Sequence, residues 1–133
     1  MKRTLLVIFI FTVVVFIVGI GVQAQDSGVV EQTKFYRSMY NCQRGIYTPD
    51  SVEMFGHAIS FEYRVLGMQN NKCHIRENMG GVIINCALPM AVARKYAQEG
   101  LRMIQQGQQG VGYSQYMTQI NNDSKYCKIN TGD

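Results

Sequence analysis

The longest stretch without polar interruption lies at the amino terminus, where residues Leu5 to Ile20 are apolar apart from Thr12 and Gly19. A basic Met1-Lys2-Arg3 start precedes it. Val22-Gln23-Ala24 follows, with small or apolar residues at the two positions a signal peptidase inspects, before the chain turns polar at Gln25-Asp26-Ser27. Basic start, apolar core and small-residue site in that order define a secretory signal peptide. Residues 1–24 are therefore predicted to be removed on export, leaving 25–133 as a single exported domain. The competing reading is an uncleaved anchor, because Leu5–Val22 reaches the roughly 17–25 apolar residues that cross a bilayer. No Cys follows Ala24, so a lipid-modified terminus is not predicted.

Further along, the apolar spacing changes to two. Ile59, Phe61, Tyr63 and Val65 alternate with polar residues, as in a half-buried strand. Gly67–Asn71 reads as a loop, and Lys72–Glu77 and Gly81–Leu88 as two further strands. A turn centred on Met79-Gly80 opposes Glu77 with Val82, Ile75 with Ile84 and Cys73 with Cys86. Folding the first strand back sets Tyr63 opposite Ile75 and Val65 opposite Cys73, so the apolar members of three strands share one face. A turn centred on Gly80-Gly81 is the alternative and would shift the register.

The remaining periodicity is helical. Ser27–Tyr40 carries Val30, Phe35, Tyr36, Met39 and Tyr40 and reads as a short helix beginning near Ser27, with an extended segment as the alternative. Asn41–Phe55 reads as connection, with Gly45 and Thr48-Pro49-Asp50 as breakers. Pro89 suits a first helical turn, and Met90–Gln106 follows with Ala93, Ala97, Leu101 and Ile104 along one side. Gly100 interrupts this helix, a sign that packing requires the missing side chain. Gln105–Gly110 reads as a flexible turn, Tyr113, Tyr116, Met117 and Ile120 as a second short helix, and Asn121–Asp133 as polar tail. The predicted fold class is α+β: a small three-stranded antiparallel meander packed against carboxyl-terminal helices and stapled by two disulfides.

The 133 residues carry 13 basic and nine acidic side chains, a formal charge of +4. Loss of Lys2 and Arg3 with the signal leaves +2, which supplies no electrostatic case for nucleic acid. Composition is 47% hydrophobic, which excludes strongly charged disordered classes. All four cysteines, Cys42, Cys73, Cys86 and Cys127, lie beyond the predicted cleavage site. An even number in a small exported domain reads as two disulfides. The register above favours Cys73–Cys86 and hence Cys42–Cys127. Zinc is disfavoured because no C-x₂₋₄-C turn is present.

Candidate chemistry is sparse. His57 and His74 are the acid–base candidates, but the parity puts His57 with the buried residues and His74 outside, so they share neither proton nor metal. Asp50 and Glu53 lie in a connection with nothing to set their separation. Met54 and His57 are the one close pair of thioether and imidazole, read as core packing. Asn122-Asp123-Ser124 matches a glycosylation acceptor. The outward strand face, with Ser60, Glu62, Arg64, His74, Arg76 and Asn85, is the candidate recognition surface, and the Tyr-rich carboxyl-terminal segment is a second. No catalytic residue, cofactor or metal is assigned. The expectation is a bacterial, periplasmic or secreted binding or envelope-associated module that meets a protein or envelope component by binding rather than catalysis. The alternatives are a small secreted hydrolase or toxin using His57 or His74 as general base, and a membrane-tethered accessory subunit with an uncleaved helix, the one case in which a membrane is a partner.

Overall fold

The computed structural model describes residues 27–107 and 113–132. The predicted signal peptide, its cleavage site and the second half of the Gln/Gly-rich turn lie outside the described residues. Helix α1 (Ser27–Asn41) comes first, followed by strands β1 (Gly45–Tyr47), β2 (Val52–Met54), β3 (His57–Ile59), β4 (Phe61–Gln69), β5 (Lys72–Met79) and β6 (Val82–Pro89). Helices α2 (Met90–Gln105) and α3 (Gln115–Asn122) and strand β7 (Cys127–Thr131) complete the order. The α+β class is as predicted. The sheet is larger than the predicted meander: five antiparallel strands in the order β1-β4-β5-β6-β7, with β2 and β3 forming a separate hairpin.

Turn chemistry sets the register. A two-residue hairpin turn that follows the strand twist requires positive φ at both central positions, which glycine and asparagine accept most readily. Gly80 and Gly81 adopt φ of 60° and 96°, and Asn70 and Asn71 adopt 51° and 61°. The predicted turn at Met79-Gly80 would instead force Met79 into the left-handed region. The pairs are therefore Met79 with Val82, Glu77 with Ile84, Ile75 with Cys86, and Cys73 with Leu88. On the other side Val65 faces Ile75, and the strand runs on to Gln69 through a bulge between Val65 and Gly67, where a loop was expected. Both registers differ from expectation by two residues. Because side chains alternate with period two, this shift moves every partner yet leaves every face unchanged.

The cysteines change partners for the same reason. With Cys73 opposite Leu88, the predicted Cys73–Cys86 and Cys42–Cys127 pairing gives way to Cys42–Cys73 and Cys86–Cys127, with Cα separations of 5.7 and 4.1 Å. Cys86 instead meets its directly opposed partner on β7, a strand formed by residues read as polar tail. Cys42 closes α1: its N–H bonds the Met39 carbonyl at 3.0 Å and the Gln43 N–H reaches the Ser38 carbonyl at 2.8 Å. That is a Schellman ending, with Cys42 at φ 53° where glycine is usual. By loop-closure entropy, links spanning 31 and 41 residues each stabilise the domain by about 4 kcal/mol.

One layer of helices covers the inner sheet face, and the amino-terminal helix is part of it. Phe35, Tyr36 and Met39 of α1, Ala93, Tyr96 and Ala97 of α2, and Met117 and Ile120 of α3 pack on Tyr63, Val65, Ile75, Ile84 and Leu88. Phe35 stacks at a tilt against Tyr63, with ring centroids 5.0 Å apart. The Ser114 side chain caps α3 by accepting from the Met117 N–H at 3.2 Å. Gly100 has the role its placement implied: a Cβ there would come closer than 3.0 Å to ring carbons of Tyr36, so α1 and α2 approach only because the position is bare.

Two outcomes test this architecture. Non-reducing peptide mapping should link Cys42 to Cys73 and Cys86 to Cys127. Gly100→Ala should gain roughly 1 kcal/mol of helix propensity and lose more by displacing Tyr36, for a net loss of about 1–2 kcal/mol in denaturant unfolding.

Candidate functional site

The outward face of the five-stranded sheet is assembled by the registers just described. Ile46 faces Arg64, Arg64 faces Arg76, Arg76 faces Asn85, and Asn85 faces Lys128. Three cations and an amide thus form one line across β4, β5, β6 and β7. In the adjacent line Glu62 faces Asn78. Glu62 and Arg64, two apart on one strand, point the same way and form a two-pronged ion pair, Nε to Oε1 at 2.5 Å and Nη2 to Oε2 at 3.1 Å. The hydrogen bond from Arg64 is the main reason the Glu62 carboxyl is held below its ordinary range, and the charges of Arg64 and Arg76 add to it. Arg76 and Lys128 enter no ion pair among the described residues. Like charges opposed across strands, as Arg64 and Arg76 are, cost stability.

Of the other predicted residues, His74 lies on the outward face, opposite Ala87 and nearer the far end of β5. Asn85 is in the cationic line, while Ser60 lies in the break between β3 and β4. His57 is not among the buried residues. Ser60 ends β3 before β4 begins, so the parity of β4 does not extend back to it, and His57 is exposed in the separate hairpin, directly opposite Met54. That pair, read as core packing, is accordingly at the surface. His57 and Glu62 both line an open groove of about 620 Å³ between this hairpin and the sheet end, floored by Asn78, Gly80 and Gly81. Asp50 receives a hydrogen bond from Ser27, and Glu53 faces Ala58 across the hairpin. Among the described residues no three His, Cys, Asp or Glu side chains converge as metal ligands.

The Tyr-rich segment turns inward instead of presenting a free surface. Tyr113 donates a hydrogen bond to Glu77 Oε2, and Tyr96 of α2 donates to Oε1 at 3.2 Å. Glu77 is 1% exposed and bonds no lysine or arginine among the described residues. The Tyr96 hydroxyl also lies 3.1 Å from Asn121 Oδ1, while Asn121 Nδ2 is buried without a partner among the described residues. A hydroxyl has one proton, so a half-turn of the Asn121 amide would let Nδ2 donate to the Tyr96 oxygen and leave that proton for Glu77. Glu77 has the inward parity of Cys73 and Ile75, and that parity was the available signal for a buried carboxylate.

Burial pushes the Glu77 carboxyl up to about 6, against the two tyrosine hydrogen bonds that favour its charged form. Burial and the nearby carboxylate push Tyr63 to about 12 and raise Tyr36, Tyr96 and Tyr113 as well. The cluster locks β5, α2 and α3 together. No family model, no curated protein and no solved structure matches the chain.

Since folded Glu77 keeps its proton above the ordinary carboxyl value of 4.5, the native state binds the extra proton between about 4.5 and 6. Stability from this group is fully present below that window, falls as pH rises through it, and is about 2 kcal/mol lower above it. Denaturant unfolding from pH 4.5 to 7 should show this decline, and Glu77→Gln should flatten it.

Proposed function

We propose that the chain is an exported binding module, bacterial and periplasmic or secreted, which recognises an anionic patch on a protein or envelope component through the outward sheet face. The observation that carries this reading is the cross-strand line of Arg64, Arg76 and Lys128, in which only Arg64 forms an ion pair among the described residues. A line of cations that costs folding energy and has two of its three members outside any ion pair among the described residues is suited to an external carboxylate or phosphate group. The two disulfides fit an oxidising compartment. No helix among the described residues is long and apolar enough to cross a membrane.

The groove shared by His57 and Glu62 supports the hydrolase or toxin reading as the second choice. There, Glu62 is engaged by Arg64, so it does not serve as an oriented carboxylate behind His57.

Capture from envelope extracts by the purified domain should yield a partner whose retention falls with salt. Charge reversal, Arg76→Glu with Lys128→Glu, should weaken it roughly tenfold or more. Alanine at His57, which lies in the separate hairpin and not on the sheet face, should leave binding intact. Loss of activity in that histidine variant, with the fold preserved, would favour the enzyme.

A further inference from the structure

The β2–β3 hairpin is an apolar projection of which only Ile59, at its root, packs against the core. Val52, Met54 and Phe55 are 46%, 41% and 94% exposed. Val52 and Met54 share one face of the hairpin with their partners Ile59 and His57, while Glu53 and Ala58 point the other way. At the tip, Phe55 and Gly56 adopt φ of 53° and 77°. Turn chemistry selects asparagine, aspartate or glycine at the first of these positions. A bulky aromatic there is strained and almost fully in water, so neither turn formation nor packing explains it.

The hairpin's place in the fold points to an occupant. Strand β1 runs from opposite Val65 to opposite Tyr63, toward the Gly80-Gly81 end of the sheet, and the hairpin follows it there. The Gly80 N–H bonds the Ser60 carbonyl at 3.1 Å, fixing the hairpin root to that end. Ser27, the first described residue, bonds Asp50, two residues before β2. The chain therefore enters the fold beside the hairpin root, and the apolar run Leu5–Ile20 ends seven residues before Ser27.

We propose that the hairpin is a lipid-contacting tip: Val52, Met54 and Phe55 enter the interfacial layer of the bilayer that takes up Leu5–Ile20 during export. Residues 50–59 include no lysine or arginine, so the attraction is apolar rather than a pull toward anionic headgroups. This surface is separate from the cationic sheet face, and its test is independent of that reading.

The chain has no tryptophan, which gives a silent background for a reporter. Phe55→Trp places one at the tip, and Met68→Trp places one at an apolar site as exposed as Val52 (46%) at the far end of β4. The full-length chain carrying each substitution is reconstituted into phosphatidylcholine vesicles, with and without acyl-chain bromination. The expected result is a blue-shifted indole emission from the Phe55→Trp variant, quenched by brominated lipid, with the Met68→Trp emission water-like and unquenched. Absence of quenching in the tip variant, or equal quenching in both variants, would overturn the proposal. A blue shift of the tip variant that follows protein concentration in the absence of lipid would also overturn it, assigning the tip to a second copy of the chain.

Discussion

Two adjacent residues with positive φ are the constraint on which the sheet depends. Gly80-Gly81 and Asn70-Asn71 each provide one such pair, and between them they fix how β5 aligns with both neighbours. The alignment then decides the chemistry. It sets Arg64 against Arg76, sends Cys86 toward β7, and leaves Cys73 free to meet the end of α1. A domain of this size has little apolar surface to bury, and covalent links between its edges compensate for that. The first link ties the helical layer to the sheet, and the second holds the edge strand.

The same alignment places a carboxylate where an apolar side chain would be the simpler choice. Glu77 occupies the centre of the inner face, opposite Tyr63 and Ile84. Tyr96 and Tyr113 bring hydroxyls to it in place of a counter-ion, and Asn121 stands behind them against the Tyr96 hydroxyl. A buried carboxyl without a cation favours its neutral form, and in that form it can also donate a hydrogen bond. The cluster is therefore a specificity device as much as a source of stability: only one seating of α3 brings Tyr113 and Asn121 to it together. An all-apolar interface would tolerate sliding of that short helix.

Much of this was legible in the residues, and the misses have physical causes. The alternation in 59–65 and 73–88 identified the inner face correctly because parity survives a two-residue slip. The disulfide pairing did not survive it, since pairing depends on which residues are opposed and not only on which face they share. Helix α2 was readable from Pro89 and its apolar stripe, and Gly100 was readable as a close approach. Strands β1 and β7 were not. Each is short and lies at a sheet edge: β1 has three residues, and β7 offers only Cys127 and Ile129 as alternating apolar positions, too few to separate a strand from a polar tail. Lys128 was missed with β7. In the recognition face, Glu62, Arg64, His74 and Arg76 were placed outward from parity, but the line that joins two of them to Lys128 exists only once β7 is added.

The two candidate surfaces differ in orientation as well as in chemistry. The hairpin and the start of α1 lie at the Gly80-Gly81 end of the strands, whereas the cations run across the strands on the broad outer face. A surface at the strand ends and a surface spanning the strands are roughly perpendicular. If the strand ends meet lipid, the cationic line stands along the side of the domain, in the aqueous layer above the membrane and clear of it. Apolar contact and ionic contact then do not compete for the same orientation. A tethered form would present Arg76 and Lys128 laterally to a neighbour on the same membrane, and a released form would present them in any direction. The geometry of the face is thus compatible with either fate of the amino-terminal run, because its cations are placed by strand register and not by the route by which the chain enters the fold.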